Sequence, residues 1–187
     1  MSGGPDRIEG YAIVSEDGML ANAQGVMPDT LKFDADQEFF ATSLDNVAAV
    51  VHGRHSHEQQ KNSPQRKRIT ATHSVAALAP DPENERGVLW NPQGARLDQV
   101  WTTLNLEGGA LGVIGGTAIF GLFLPQYDVF YLSRAPGVTL PGGVPVFPEV
   151  PGRTPEQVLA QHGLKLADTR SLDAGKGVTL QVWRRAT

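Results

Sequence analysis

Val113-Ile114-Gly115-Gly116-Thr117-Ala118-Ile119-Phe120 runs from an apolar strand, through two glycines, directly into a segment of helical period. A strand that turns at once into a helix belongs to an α/β sheet, where short apolar strands alternate with amphipathic helices. Working outward, β-branched apolar runs predict strands at Gly10 to Val14, Val47 to His52, Arg68 to Ala71 and Gly87 to Trp90. Further strands are expected at Ala110 to Ile114, Val129 to Ser133 and Val178 to Trp183. Helical spacing falls on Asp36 to Ser43, Ala95 to Leu104, Thr117 to Leu124 and Pro155 to His162, the last opened by Thr154 as cap. Pro and Gly crowd the stretch from Pro136 to Pro155, which predicts a long ordered loop. The remaining residues are too few for a core of their own, and they read as a helix and a hairpin turned at Ala174-Gly175-Lys176-Gly177. The expectation is one domain over residues 1–187, with residues 1–7 flexible.

Composition narrows the function classes. The chain has 187 residues, 40% hydrophobic, with 16 basic against 20 acidic side chains and a formal net charge of -4. Nothing in that balance pulls the whole molecule toward nucleic acid or anionic lipid, so any phosphate site must be local. Cysteine is absent, which removes disulfides, thiolate metal sites and thiol nucleophiles. The polar, Gly-rich start lacks the apolar core of a secretory signal, and Ala110 to Pro125, with four glycines, falls short of the ~20 apolar residues of a membrane span. A soluble, cytoplasmic protein acting on a small molecule is expected, as a monomer or homodimer.

Three stretches carry the chemistry. At Gly115-Gly116, backbone without Cβ atoms at a helix start can approach a pyrophosphate closely; tight strand-to-helix packing is the competing reading. At Val51-His52-Gly53-Arg54-His55-Ser56 an arginine and a hydroxyl follow a strand end, where ligands of open α/β sheets sit. Arg54 could instead be a surface cation. His52, His55 and His57 bring no fourth ligand and no helical i,i+4 pair, so no metal site is expected. In Phe33-Asp34-Ala35-Asp36-Gln37-Glu38-Phe39-Phe40 an acidic pair opens a helix. Asp34 with Gln37 resembles a capping box. Asp36 stands one turn before Phe40, so carboxylate and ring share a face, the makeup of a heterocycle pocket. Favouring the positive helix end is the alternative role for Asp36.

In this order, strand-Gly-Arg-x-Ser, a basic turn, and apolar-Gly-Gly-x-x-apolar-aromatic resemble the dihydrofolate reductase superfamily. Leu124-Pro125, Phe130-Tyr131-Leu132-Ser133 and Val146-Phe147-Pro148-Glu149 are similar to later parts of that family, and the likeness runs from about Ile8 to Glu149. It implies a three-layer α/β/α fold with a predominantly parallel mixed sheet and an antiparallel C-terminal hairpin. It also implies an NADPH-dependent oxidoreductase that delivers hydride to a pterin or folate-like ring. Gly115, Gly116, Thr117 and Ala118, with Ile114, Ile119 and Phe120 around them, would hold the cofactor's pyrophosphate and nicotinamide side. Gly53, Arg54 and His55 would meet the ribose 2′-phosphate, Ser56 the diphosphate, and Thr72, His73 and Ser74 the adenine side. Asp36 would bind the ring and assist its protonation, with Ile13, Met27, Phe40 and Ser133 lining the substrate pocket. Arg66, in Ser63-Pro64-Gln65-Arg66-Lys67-Arg68, would bind a carboxylate tail; a solvated basic turn is an equally good reading. The chain departs from the family at Asp29, where a tryptophan is usual, and at Phe120, where a tyrosine is usual. Ser15-Glu16-Asp17-Gly18 is similar instead to the reductase domain of riboflavin biosynthesis, which acts on an aminopyrimidine ribotide. A non-catalytic nucleotide-binding protein on the same fold is the third possibility.

Overall fold

The computed structural model describes residues 3–56 and 58–187. Its first half contains β1 (Arg7–Val14), β2 (Met19–Ala21), α1 (Asp34–Leu44), β3 (Ala49–Gly53), β4 (Arg68–Ala71), β5 (Leu78–Pro80) and β6 (Gly87–Trp90). The second half adds α2 (Leu97–Thr103), β7 (Ala110–Val113), α3 (Thr117–Leu122) and β8 (Val129–Arg134). The chain then forms β9 (Val144–Pro145), α4 (Pro155–Gln161), β10 (Leu164–Asp173) and β11 (Val178–Arg185). One sheet holds nine strands in the order β10-β11-β8-β1-β7-β3-β4-β6-β5, while β2 pairs separately with β9. The strands from β8 to β6 are parallel. Antiparallel strands flank them, β11 and β10 at one side and β5 at the other.

The layers follow from the strand order. From β1 the chain crosses to β3, whereas β7 returns between these two strands and the next crossing leads to β8, beyond β1. Right-handed crossovers in opposite directions put their helices on opposite faces of the sheet. Phe39 and Phe40 of α1 accordingly pack with Tyr11, Val50 and Tyr131 on one face. Trp101 of α2, Phe120 of α3 and Leu159 of α4 pack with Val14, Val113 and Phe130 on the other. Strand alternation sorts β1 between the two, Tyr11 toward α1 and Val14 toward the larger core. Gly10 permits the close fit there: a Cβ at that position would stand 2.3 Å from Phe130 and 2.9 Å from Tyr127.

Some boundaries differ from the sequence reading. Phe33, with extended backbone, is the N-cap of α1, and Asp34 already lies within the helix with no side-chain cap bond, so the expected Asp34 capping box does not form. At α4 the expected cap does form, Thr154 Oγ1 accepting the Gln157 amide at 3.2 Å. Within the loop expected from Pro136 to Pro155, Val144–Pro145 forms β9. Arg7 begins β1, and Asp6 exchanges two hydrogen bonds with Gly109, its amide donating at 2.8 Å and its carboxylate accepting at 2.7 Å. Met1 and Ser2 lie outside the described residues.

Candidate active site

Because β3 and β7 are parallel neighbours with Val51 opposite Val113, the bends that follow them leave the sheet at the same edge. The Gly53 amide donates to the Gly115 carbonyl at 2.8 Å, joining the two bends directly. Gly115 has φ 115°, a conformation that side chains rarely adopt, and the Gly115–Gly116 peptide is cis. A Cβ on Gly116 would stand 3.3 Å from Ser56 Oγ, so the second bend lies against the first. Ordinary side chains at these glycines would fill a cradle that is now bare backbone.

Beside this cradle opens a cavity of about 600 Å³ at the carboxyl ends of the parallel strands. Ile13, Met27, Asp36, Phe40 and Ser133 all line it, together with His55, Ser56, Ile114, Gly115, Gly116 and Phe120. Strand register explains the floor: Ile13 faces Ser133 and Tyr11 faces Tyr131 across β1 and β8, and side chains two apart share a face. The Tyr11 and Tyr131 rings stack with centroids 4.9 Å apart. Below them Glu9, only 3% exposed, accepts the Tyr11 hydroxyl and pairs with Arg7, which satisfies its charge away from the cavity.

Asp36 stands in the first turn of α1 and is 9% exposed. Burial pushes its carboxyl above the ordinary value, and a hydrogen bond from Ser133 opposes that only in part. The cavity thus combines aromatic and aliphatic walls with one acid biased toward holding a proton. Such an acid can hydrogen-bond a ring nitrogen in either protonation state and can lend it a proton.

The other expected residues are placed as follows. Arg54 is exposed just past β3 and does not line the cavity. Thr72, His73 and Ser74 follow β4 one strand further along the same edge, Gly53 being level with Ala71, and the Thr72 hydroxyl bonds Ser74 Oγ at 3.0 Å. The Thr117 hydroxyl is given to the Pro145 carbonyl at 2.5 Å, which ties α3 to β9 rather than facing the cavity. Ala118 is exposed and Ile119 is buried in the larger core. Since α3 spans only six residues, close backbone approach rather than a long helix dipole is what this corner offers an anion.

Arg66 is engaged by partners within the chain. Its guanidinium is buried, Nε donating to Glu58 at 2.9 Å and Nη1 to Asp45 at 2.8 Å, and it is not among the cavity-lining residues. Arg68 Nη2 donates to the other Glu58 oxygen at 2.8 Å. Burial opposes charge on Glu58, but hydrogen bonds from Ser63, Arg66 and Arg68 outweigh it and hold the carboxyl below its ordinary range. Among the described residues no group of three His, Asp or Glu side chains is arranged to hold a metal ion, and His57 lies outside those residues. No helix there is long and apolar enough to cross a membrane.

Sequence reasoning missed Tyr11, Tyr131, Phe39, Lys32 and the Glu58-Gln59-Gln60 stretch of the cavity wall. The two tyrosines were open to detection through the two-residue period from Ile13 and Ser133. The stretch 58–60 belongs to a polar loop without any period, so nothing local marks it. Asp29, where the sequence resemblance leads one to expect a tryptophan, is exposed and pairs with Lys32 at 3.1 Å.

No family model matches this sequence. No curated protein matches it either. Solved structures do match over the full chain. Dihydrofolate reductase from Enterococcus faecalis, complexed with NADP(H) and RAB-propyl, aligns with TM-score 0.66 at 17% identity, over 100% of this chain and 99% of that one. A putative riboflavin biosynthesis protein from Shewanella sp. PV-4 aligns with TM-score 0.66 at 16% identity, over 97% and 99%. The diaminohydroxyphosphoribosylaminopyrimidine deaminase/5-amino-6-(5-phosphoribosylamino)uracil reductase of Thermotoga maritima aligns with TM-score 0.65 at 16% identity, over 97% of this chain and 57% of that one. The fold is therefore dihydrofolate reductase-like. Its solved neighbours include both folate and riboflavin-pathway reductases.

Proposed function

We propose that this protein is an NADPH-dependent reductase of a pterin or dihydrofolate-like heterocycle. One observation carries the reading: the Gly53 and Gly115-Gly116 bends are hydrogen-bonded side by side at the rim of the cavity that holds buried Asp36. The bare backbone of Gly115 and Gly116 suits close approach of a pyrophosphate, with Ser56 beside it and Arg54 within the same turn for a 2′-phosphate. Bound there, NADPH supplies the hydride. Phe120 and Ile114 wall the inner end of the cradle and exclude water from it. Phe40, Ile13 and Met27 clamp a flat ring, while Asp36 accepts its amino edge and lends a proton to the ring nitrogen. Ser133 holds the Asp36 carboxyl in place. The test is oxidation of NADPH in the presence of dihydrofolate, followed by nicotinamide absorbance. Turnover is expected; NADPH binding without oxidation above background removes dihydrofolate.

A second reading is reduction of an aminopyrimidine ribotide. The full-length likeness to a riboflavin biosynthesis protein and the Ser15-Glu16-Asp17-Gly18 segment favour it. That segment has a structural explanation too: Ser15 Oγ donates to Asp17 at 2.5 Å, and Asp17 accepts the Leu140 amide at 3.0 Å. The same assay with a reducible ribotide separates the two substrates. If NADPH stabilises the fold but neither is reduced, the protein binds the nucleotide without catalysis.

A further inference from the structure

The nine-stranded sheet ends in β10 at one side and in β5 at the other. The two edges are built differently. β5 has three residues and closes on Pro80, two devices that keep an edge from accepting a further strand. β10 has ten residues, contains no proline and is exposed on both faces from Lys165 to Ser171. Leu166, 49% exposed, adds a large apolar side chain to this open edge. The unpaired backbone groups of such a strand are a template for another strand.

The side chains along β10 say which strand fits. Its register against β11 shifts at Ala167 and at Leu172, which leaves Asp168 to Ser171 regular. Asp168 stands opposite Val182 and Arg170 opposite Leu180, so both lie on the face of the sheet that α1 covers. Arg170 Nε donates to Asp168 at 2.7 Å, and both side chains are about half exposed. A two-fold axis normal to two antiparallel strands passes between one residue and its own copy. Centred on Asp168 or on Arg170, that axis sets like charges against each other, and centred on Ser171 it faces Arg170 with Leu172. Centred on Thr169, it sets each Asp168 opposite the copy's Arg170 and threonine opposite threonine, both favourable cross-strand pairs.

We propose that β10 pairs antiparallel with β10 of a second copy of this chain, about a two-fold axis at Thr169, so that two nine-stranded sheets become one. Two Asp168 and two Arg170 side chains then form a ring of alternating charge on the α1 face. No residue of β10 lines the cavity, so the pairing leaves that site open and does not rest on the reaction proposed for it.

Sedimentation equilibrium of the full chain is expected to give twice the 20.1 kDa of one chain. The mass of a single chain at ~100 µM, where a micromolar dimer is saturated, would overturn the proposal. Asp168→Arg and Arg170→Asp each set like charges across the axis twice, and each is expected to weaken the dimer by about tenfold or more. Both positions are exposed, so circular dichroism is expected to stay that of the wild type. The double variant Asp168→Arg/Arg170→Asp restores opposite charges and is expected to dimerise again. An equal mixture of the two single variants is expected to form the mixed dimer. A dimer that both single variants leave intact would take the interface away from β10. Failure of both the double variant and the mixture to recover the dimer would overturn the Thr169-centred register.

Discussion

Asp36 concentrates the conflict between stability and chemistry in one side chain. A carboxyl whose pKa is raised by burial favours the folded state while protonated; that contribution is complete below the ordinary value of 3.8 and is lost as pH rises through the higher folded value. Asp36→Asn, neutral at every pH, is therefore expected to melt above the wild type at pH 8, with the difference closing as pH falls toward 4. Scanning calorimetry over that range checks it. The same substitution is expected to lower turnover by about 10²–10⁴-fold, the usual contribution of a positioned acid, with little change in NADPH affinity. In the wild type, the rate should fall as pH rises through the raised pKa of Asp36. Arg54→Ala makes a different prediction, since its side chain is exposed past β3 and free of the cavity wall. It should weaken NADPH relative to NADH by roughly 10–100-fold, from about 1.5–3 kcal/mol per hydrogen bond to a charged group. Equal losses for both nucleotides would contradict a 2′-phosphate contact.

At the scale of elements, the packing of β1 against β8 depends on the missing side chain of Gly10. Gly10→Ala places a methyl 2.3 Å from the Phe130 ring, with Tyr127 behind it, both rings being fully buried. Overpacking of this kind costs about 1–3 kcal/mol, read as a lower urea midpoint. The central strands and all four helices were legible because each carries its own period: Arg68–Ala71 and Gly87–Trp90 match the expected bounds, and α4 announces itself through Thr154 and Pro155. The short strands β2, β5 and β9 were not legible. Each has two or three residues, and each exists only because another segment supplies hydrogen bonds to it. The site divides the same way. Asp36, Phe40, Ile13 and Ser133 lie on periodic elements, so their faces could be inferred from spacing. Nothing local marks the ion pairs of Arg66, because its partners Glu58 and Asp45 come from a loop and a helix end whose approach is fixed by tertiary structure alone.

For the whole molecule, a nucleotide that binds only the folded chain should raise its stability by about 2.7 kcal/mol at a hundred times Kd, seen as a rise in Tm with NADPH. The absence of any shift would remove the cofactor from the proposal. The two faces of the sheet are unequally covered. Three helices and most large aromatic side chains lie on one face, while α1 covers the other. The cavity lies on the thinner side. Local opening is easiest where few apolar groups hold a layer down, so amide protons of α1 should exchange with deuterium sooner than those of α2 or β7. Ligand entry would then need only that lighter covering to breathe, while the heavier half keeps the glycine bends in register throughout the visit.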